Sequence, residues 1–123
     1  RTNAMGPFLL TQALSPWLAE GAIVANLSSQ LGSIERTTRF GTPTYCITKA
    51  ALNMVTRLLS AALAERGITV VALHPGWVQT DMGGEQAPLQ APQSVQGLLR
   101  VLDGLQPSDT GRFLDWQGEA MPW

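Results

Sequence analysis

Two short apolar runs, one on each side of a long helical segment, constrain the fold of this chain most strongly. Residues 22–27 and 68–73 are nearly continuous runs of Ala, Ile, Val and Leu. Such runs are typical of strands buried on both faces of a parallel sheet. The apolar pattern of residues 43–66 predicts a helix, and Gly67 is suited to end it. A strand, a helix and a second strand in this order predict a right-handed βαβ unit.

The segments outside this unit predict a layered α/β architecture. In chain order we predict a helix over 3–18 that Pro16 ends or bends, the strand 22–27, a loop over 28–41, the helix 43–66, the strand 68–73, a break at His74-Pro75-Gly76, an irregular segment over 77–90, a helix over 92–104 and a last strand over 111–116. Helices that alternate with strands are typical of α/β folds. We therefore predict one α/β domain over residues 1–123.

The composition argues against several classes of protein. Hydrophobic side chains make up 45% of the 123 residues and charged ones 14%, as in a compact globular domain. The net charge of −1 and the lack of a Lys/Arg cluster argue against nucleic acid as a partner. No apolar run is long enough to span a bilayer, and His, Cys and carboxylates lack metal-ligand spacing. Since Cys46 is the only cysteine, no internal disulfide is possible, and we expect a cytoplasmic protein.

One pair of side chains on the long predicted helix is suited to chemistry. Tyr45 and Lys49 are the only tyrosine and the only lysine, and their spacing of four residues places them on one helical face. A free phenol has a pKa of about 10, and a neighbouring cation favours its ionised form. The pair is therefore suited to proton transfer. The structural alternative is a half-buried tyrosine beside a lysine that reaches solvent. We expect Thr42 to cap this helix and Pro43 to be its first residue.

Polar segments are predicted to meet at one edge of the sheet. Ser28 and Ser29 follow the first strand, and Pro75-Gly76 follows the second. Ligands of open α/β sheets bind beyond the carboxyl ends of the strands. The face that carries Tyr45 and Lys49 is expected at the same edge, so the sequence predicts a site there.

These motifs, in this order, resemble the carboxyl-terminal half of a short-chain dehydrogenase/reductase. The resemblance is carried by Asn3, Asn26-Leu27-Ser28-Ser29 with Gly32, Tyr45-x-x-x-Lys49, His74-Pro75-Gly76-Trp77-Val78-Gln79-Thr80-Asp81-Met82, Gly111-Arg112-Phe113-Leu114-Asp115-Trp116 and Met121-Pro122-Trp123. The last two runs resemble the carbonyl-reductase branch, which includes sniffer-like and C-factor-like proteins. The resemblance covers essentially the whole chain. It implies a partial Rossmann-like three-layer sandwich, a parallel sheet with flanking helices, without the amino-terminal dinucleotide-binding half.

The resemblance also implies a catalytic set of four residues. Tyr45 would exchange a proton with the carbonyl or alcohol oxygen, and Lys49 would assist it and hydrogen-bond the nicotinamide ribose. Ser29 would hold the substrate oxygen, as an oxyanion donor does. Asn3 would maintain a water-linked proton path near the lysine. The gap between Ser29 and Tyr45 is longer than the commonest family spacing. We assign the catalytic role to Ser29 over Ser28, and we expect Ser28 to have a structural role in which it bonds the loop backbone.

NAD or NADP is the cofactor that the resemblance implies. The matching cofactor-binding residues are Tyr45, Lys49, Pro75, Gly76, Val78 and Thr80. A dinucleotide also requires a glycine-rich turn at a helix N-terminus, and none of the 12 glycines forms such a motif. The chain begins at Arg1 without an initiator methionine, as we expect of a start within a fold. Without its amino-terminal neighbour, the strand 22–27 would present an open edge.

The leading hypothesis is therefore an NAD(P)-dependent oxidoreductase that interconverts a small carbonyl compound and an alcohol by hydride transfer. The alternative is a non-catalytic, truncated fragment that dimerises without binding cofactor. A serine hydrolase using Ser29, His74 and Asp81 is disfavoured, because the motif Gly-x-Ser-x-Gly is absent. The predicted helix 43–66 is apolar on two sides, so we expect a homodimer or tetramer through helices 6–18 and 43–66.

Overall fold

Helices and strands alternate along the chain, and the predicted α/β class is confirmed. The structure, a computed structural model, describes residues 2–79, 84 and 86–123, with the backbone only at residues 2, 3 and 79. Its elements are helix α1 (Thr2–Leu14), strand β1 (Ile23–Leu27), helix α2 (Pro43–Leu63), strands β2 (Thr69–His74), β3 (Val78–Gln79) and β4 (Leu89–Gln90), helix α3 (Ala91–Gly104) and strand β5 (Phe113–Asp115). Short 3-10 helical turns lie between these elements, at Ser15–Trp17, Gln30–Gly32, Ala64–Arg66 and Pro107–Asp109.

Strands β1, β2 and β5 form a parallel sheet in the order β1-β2-β5. Ile23 pairs with Thr69 and Leu27 with Leu73, so β1 and β2 are in register along the whole of β1. Helix α2 connects these two strands, which confirms the predicted βαβ connection. Strands β3 and β4 form a separate parallel pair of two residues each. The prediction of an irregular segment over 77–90 is wrong at these four residues.

Helices cover both faces of the sheet and make it the middle of three layers. On one face α1 and α2 pack together, with Leu59 and Leu63 of α2 in the same cluster as Val70 of β2. On the other face α3 packs against Val71 and Leu73 of β2. Because successive side chains of a strand point to opposite faces, the central strand β2 supplies both cores. The predicted three-layer arrangement of a parallel sheet with flanking helices is confirmed.

Strand β1 is more exposed than its apolar sequence predicts. Ile23 is 41% exposed and Leu27 is 56% exposed. Leu27 pairs with the buried Leu73 and so lies on the same face, which α3 covers over β2 and β5. Burial on both faces is thus a wrong prediction for β1, because this strand lies at the edge of the described sheet. An open groove of about 720 Å³ runs along this edge, lined by α1, β1 and the part of α2 that carries Lys49.

The helix ends show which local signals were sufficient. Pro16 lies in the 3-10 turn after α1, as expected. Gly67, with a left-handed φ of 70°, ends the 3-10 turn Ala64–Arg66 that continues α2. Pro43 is the first residue of α2, but the Thr42 side chain does not cap the helix. Thr42 has a φ of 39°, whereas a capping residue normally has extended backbone. Its hydroxyl instead lies 3.7 Å from the Cys46 sulfur, so the predicted cap is wrong.

Helix α2 keeps an apolar surface on the side away from the sheet. Ile47, Met54 and Leu58 are 67%, 60% and 56% exposed, and their spacing places them on one side of the helix. We call these three residues the α2 stripe. The stripe does not make α2 a membrane helix, since no helix within the described residues has the length and hydropathy to cross a bilayer.

Candidate active site

Helix α2 places Tyr45 and Lys49 at the carboxyl end of β1. Tyr45 lies in its first turn and Lys49 in its second, and both side chains are half-buried. The Lys49 Nζ donates a hydrogen bond of 3.2 Å to the backbone oxygen of Leu27, the last residue of β1. The same nitrogen lies 5.6 Å from the centre of the Tyr45 ring. The ammonium group therefore lies close to both the strand end and the phenol ring.

The Lys49 side chain is partly buried and is able to donate further hydrogen bonds. Partial burial lowers the pKa of Lys49 below its ordinary value. Within the described residues no carboxylate forms an ion pair with Lys49; the ion pair found there joins Arg112 and Asp109. An ammonium group has three N–H donors, and Leu27 accepts one of them. Among the described residues no acceptor binds the other two donors, which can therefore bind a ligand or water.

Ser29 lies directly after β1 and begins the 3-10 turn Gln30–Gly32. Its Oγ accepts a hydrogen bond of 3.1 Å from the backbone N–H of Leu31. This contact caps the turn and fixes the direction of the buried Ser29 side chain. Within the described residues the hydrogen of this hydroxyl has no acceptor. Ser29 is therefore able to donate a hydrogen bond to a ligand oxygen.

Ser28 and Asn53 connect this loop to helix α2. The Ser28 hydroxyl donates a hydrogen bond of 2.6 Å to Oδ1 of Asn53, and Nδ2 of Asn53 donates one of 3.2 Å to the backbone oxygen of Gly32. The expectation that Ser28 bonds loop backbone is therefore wrong, because its partner is a side chain of α2. Sequence reasoning also missed Asn53. The available signal was a polar residue four positions after Lys49, within an apolar stretch of the same helix.

Gly32 allows the loop to lie directly against α2. A Cβ atom at Gly32 would lie 2.9 Å from both the carbonyl carbon and the Cβ of Lys49. Contacts this short do not occur in folded proteins, so only glycine fits here without a shift of the helix backbone. The loop that carries Ser29 thus packs against the turn of α2 that carries Lys49.

His74 joins the same loop to the end of β2. Its Nδ1 accepts a hydrogen bond of 3.3 Å from the backbone N–H of Gln30. Burial is the main influence on this imidazole and lowers the pKa of His74; the positive charge of Arg36 lowers it further, and the negative charge of Asp115 opposes both. The neutral ring, which can accept through Nδ1, is therefore favoured. His74 is a strand-end residue with an ordinary hydrogen bond, as expected.

The segment after β2 is fixed by close packing. Gly76 has a φ of 87°, and a Cβ atom there would lie 2.3 Å from Leu89 Cδ1 and 3.0 Å from Trp116 Cδ1. Ser94 of α3 donates a hydrogen bond of 2.6 Å to the backbone oxygen of Pro75. The Pro75-Gly76 backbone therefore has a defined position at the same end of the sheet as Ser29 and Lys49.

The other predicted site residues are placed only in part. Asn3 lies in the first turn of α1, where the backbone alone is described, and the half-buried Val78 lies in β3. Thr80, which is expected to contact cofactor, and Asp81, considered for a hydrolase, lie outside the described residues. Among the residues that the structure describes, no group of three or more His, Cys, Asp or Glu could hold a metal ion.

Comparisons with known proteins define the family. The model of the short chain dehydrogenase family matches residues 1–90. The C-signal of Myxococcus xanthus is 51% identical over 123 residues, which cover 98% of this chain and 74% of that protein. The carbonyl reductase Sniffer of D. melanogaster has a TM-score of 0.93 at 36% identity, covering 99% of this chain and 54% of that one. An NADPH-bound carbonyl reductase from chicken fatty liver has a TM-score of 0.91 at 42% identity, with the same coverage.

The chain belongs to the short-chain dehydrogenase family. The resemblance predicted from Tyr45-x-x-x-Lys49 and its accompanying motifs is confirmed, as is the partial Rossmann-like sheet with flanking helices. The chain spans about half the length of the solved structures that it matches.

Proposed function

We propose that this chain carries the proton-transfer site of an NAD(P)-dependent oxidoreductase that interconverts a small carbonyl compound and an alcohol. The observation that carries this proposal is the position of the Lys49 Nζ, bonded to the Leu27 carbonyl oxygen and 5.6 Å from the centre of the Tyr45 ring. The similarity to two carbonyl reductases supports the same class of reaction.

Tyr45 is the proposed general acid and base. In reduction its hydroxyl gives a proton to the carbonyl oxygen as that oxygen gains negative charge, and in oxidation its phenolate removes the alcohol proton. The phenolate left after proton donation is negatively charged, and the positive charge of Lys49 stabilises it. The hydrogen bond to Leu27 holds the ammonium at the end of β1, so its position relative to Tyr45 is fixed.

Ser29 and Asn3 are proposed to assist Tyr45. The Ser29 hydroxyl accepts from Leu31, so its hydrogen is directed away from that amide and can be donated to the substrate oxygen. Asn3 is proposed to maintain a water-linked proton path to Lys49. No step requires Ser29 to lose its proton, and no nucleophilic role for it is proposed.

A nicotinamide cofactor is proposed to bind between Lys49 and the segment after β2. When bound, NAD or NADP supplies the hydride in reduction and accepts it in oxidation. Lys49 has two N–H donors that suit ribose hydroxyls, and the Gly76 backbone is held in place beside the Leu89 and Trp116 side chains. The proposed cofactor-binding residues are Tyr45, Lys49, Pro75, Gly76, Val78 and Thr80.

Fluorescence titration with NADPH and with NADH tests this proposal on the 123-residue chain. We expect saturable binding of at least one of the two, weakened in Lys49→Met and largely retained in Lys49→Arg, which keeps the charge. The absence of saturable binding of either nucleotide would contradict cofactor binding by this chain. A preference for NADPH or NADH would identify the cofactor, which the proposal leaves as either.

The second candidate function is that of a non-catalytic fragment that dimerises without binding cofactor. The coverage of only about half of the solved structures is the observation that favours it, whereas the exposed α2 stripe supports dimerisation under either candidate. Under both proposals we expect a homodimer or tetramer through helices 6–18 and 43–66, in the cytoplasm. The nucleotide titration separates the two candidates, since oligomerisation is common to both.

A further inference from the structure

Asn53 is a buried side chain to which the proposed reaction gives no role. It is 4% exposed, and both ends of its amide are engaged. Oδ1 accepts from the Ser28 hydroxyl at 2.6 Å, and Nδ2 donates to the Gly32 carbonyl oxygen at 3.2 Å. We call residues 28–32 the serine loop. One side chain of α2 therefore holds the serine loop at its first and last residues, with Ser29 between them.

The position of Asn53 on α2 relates this loop to the site. Asn53 follows Lys49 by four residues and Tyr45 by eight, so the three side chains lie along one face of the helix. Gly32 also lies against the backbone of Lys49, with no space for a Cβ atom. A shift of the serine loop along the helix would break both hydrogen bonds of Asn53 and bring Gly32 into collision with Lys49.

We infer that Asn53 is a positioning residue, which sets the place of the Ser29 hydroxyl relative to Tyr45 and Lys49. This inference rests on the proposed function. Asn53 acts through Ser29 and does not contact the substrate. Because a proton transfer and an oxyanion contact depend on distances within a fraction of an ångström, a small displacement of Ser29 lowers the rate of reaction more than it lowers ligand binding.

Thr56 provides a matched control for a purely structural role. It lies on the same helix, is 0% exposed, and its Oγ1 accepts a hydrogen bond of 3.1 Å from Nδ2 of Asn26. Its partner therefore lies in β1, outside the serine loop. Thr56→Val removes this buried hydrogen bond and the one of 3.2 Å that Oγ1 donates to the Leu52 carbonyl oxygen, whereas Asn53→Leu removes the two that hold the loop.

Hydrogen exchange of the 123-residue chain tests the inference independently of activity. The informative amides are Leu31, which donates to Ser29 Oγ, and Gly32, which donates to the Ser29 carbonyl oxygen at 2.9 Å. In Asn53→Leu we expect these two amides to exchange about tenfold or more faster relative to the amides of β2, the size of effect that the loss of buried hydrogen bonds produces. Thr56→Val should leave this ratio unchanged. An equal effect of both variants, or none in Asn53→Leu, would overturn the inference.

Kinetic measurements test its consequence for the reaction. We expect Asn53→Leu to lower kcat for carbonyl reduction about tenfold or more, with KM for the nucleotide unchanged. If Asn53→Leu does not fold, Ser28→Ala removes one of the two bonds and should give a smaller change in the same direction. Absence of activity in the unmodified chain would contradict the proposed function and leave the exchange result as the test of loop position. An active chain whose kcat is unchanged in Asn53→Leu would overturn the inference alone.

Discussion

The Nζ of Lys49 lies 3.2 Å from the backbone oxygen of Leu27, and this hydrogen bond ties the second turn of α2 to the end of β1. Ser28 and Ser29 follow Leu27 directly, so the lysine lies beside the start of the serine loop. The spacing of Tyr45 and Lys49 places both side chains on one face of α2. The contact with Leu27 shows that the end of β1 lies opposite that face. The Lys49–Leu27 contact thus connects the two halves of the proposed site.

The pH dependence of stability should report on His74. Burial lowers the pKa of His74, so the folded chain binds a proton there less tightly than the unfolded chain does. This contribution leaves stability unaffected above the ordinary value of 6.5 and lowers stability as the pH falls below 6.5 toward the lower folded pKa. Urea unfolding between about pH 8 and about pH 5 should show this decrease, in the range where histidine titrates.

His74→Asn is the matched variant for this measurement. The Asn oxygen occupies the same bond position as Nδ1 and can accept from the Gln30 N–H, but it does not titrate. We expect the free energy of unfolding of the variant to lose the part of its pH dependence that lies just below pH 6.5. A slope in that range equal to that of the unmodified chain would show that His74 does not cause it.

Stability should also depend on the close packing at Gly76. Gly76→Ala requires a non-glycine residue at a φ of 87° and places a methyl group 2.3 Å from Leu89 Cδ1. Gly21→Ala requires a similar φ of 85°, but within the described structure its Cβ atom would have no atom within 4 Å apart from those of residues 20–22. We expect the free energy of unfolding to fall by about 1–2 kcal/mol in Gly21→Ala and about 2–4 kcal/mol in Gly76→Ala. Equal losses would contradict the packing around Gly76.

Much of the fold could be predicted because its signals are local. The apolar runs at 22–27 and 68–73 predicted β1 and β2, and Pro43 and Gly67 predicted the ends of the helical segment. The apolar run alone predicted burial of β1 on both faces, which is wrong, and only the family resemblance indicated that this strand has an open edge. The Thr42 cap was missed because residue type alone does not specify a positive φ.

The candidate site was predictable to the same extent. Tyr45 and Lys49 share a face because of their spacing, which can be read directly from the sequence. The contacts of Asn53 and His74 join residues that are 21 to 44 positions apart, and no local periodicity encodes them. Ser94, which holds the Pro75 carbonyl oxygen, was missed for the same reason. The roles proposed for these side chains remain predictions.

The α2 stripe should mediate self-association. Leu58 is 56% exposed, and burial of such side chains between two copies is favourable in proportion to the apolar area removed from water. Sedimentation at micromolar concentration should show a dimer or tetramer for the unmodified chain and a monomer for Leu58→Glu. Val95→Glu changes an equally apolar residue, 51% exposed on α3, and should leave the oligomer intact. A monomeric unmodified chain would contradict the proposed interface.

Steady-state reduction of a simple aldehyde or ketone, followed as NADPH oxidation, tests the central proposal most directly. Tyr45→Phe removes only the hydroxyl oxygen of a half-buried ring, so the fold should be retained. We expect the unmodified chain to turn over and kcat of Tyr45→Phe to fall about 100-fold or more, with nucleotide binding little changed, as for the loss of a general acid. Equal rates for the unmodified chain and Tyr45→Phe would contradict the assignment of proton transfer to this pair.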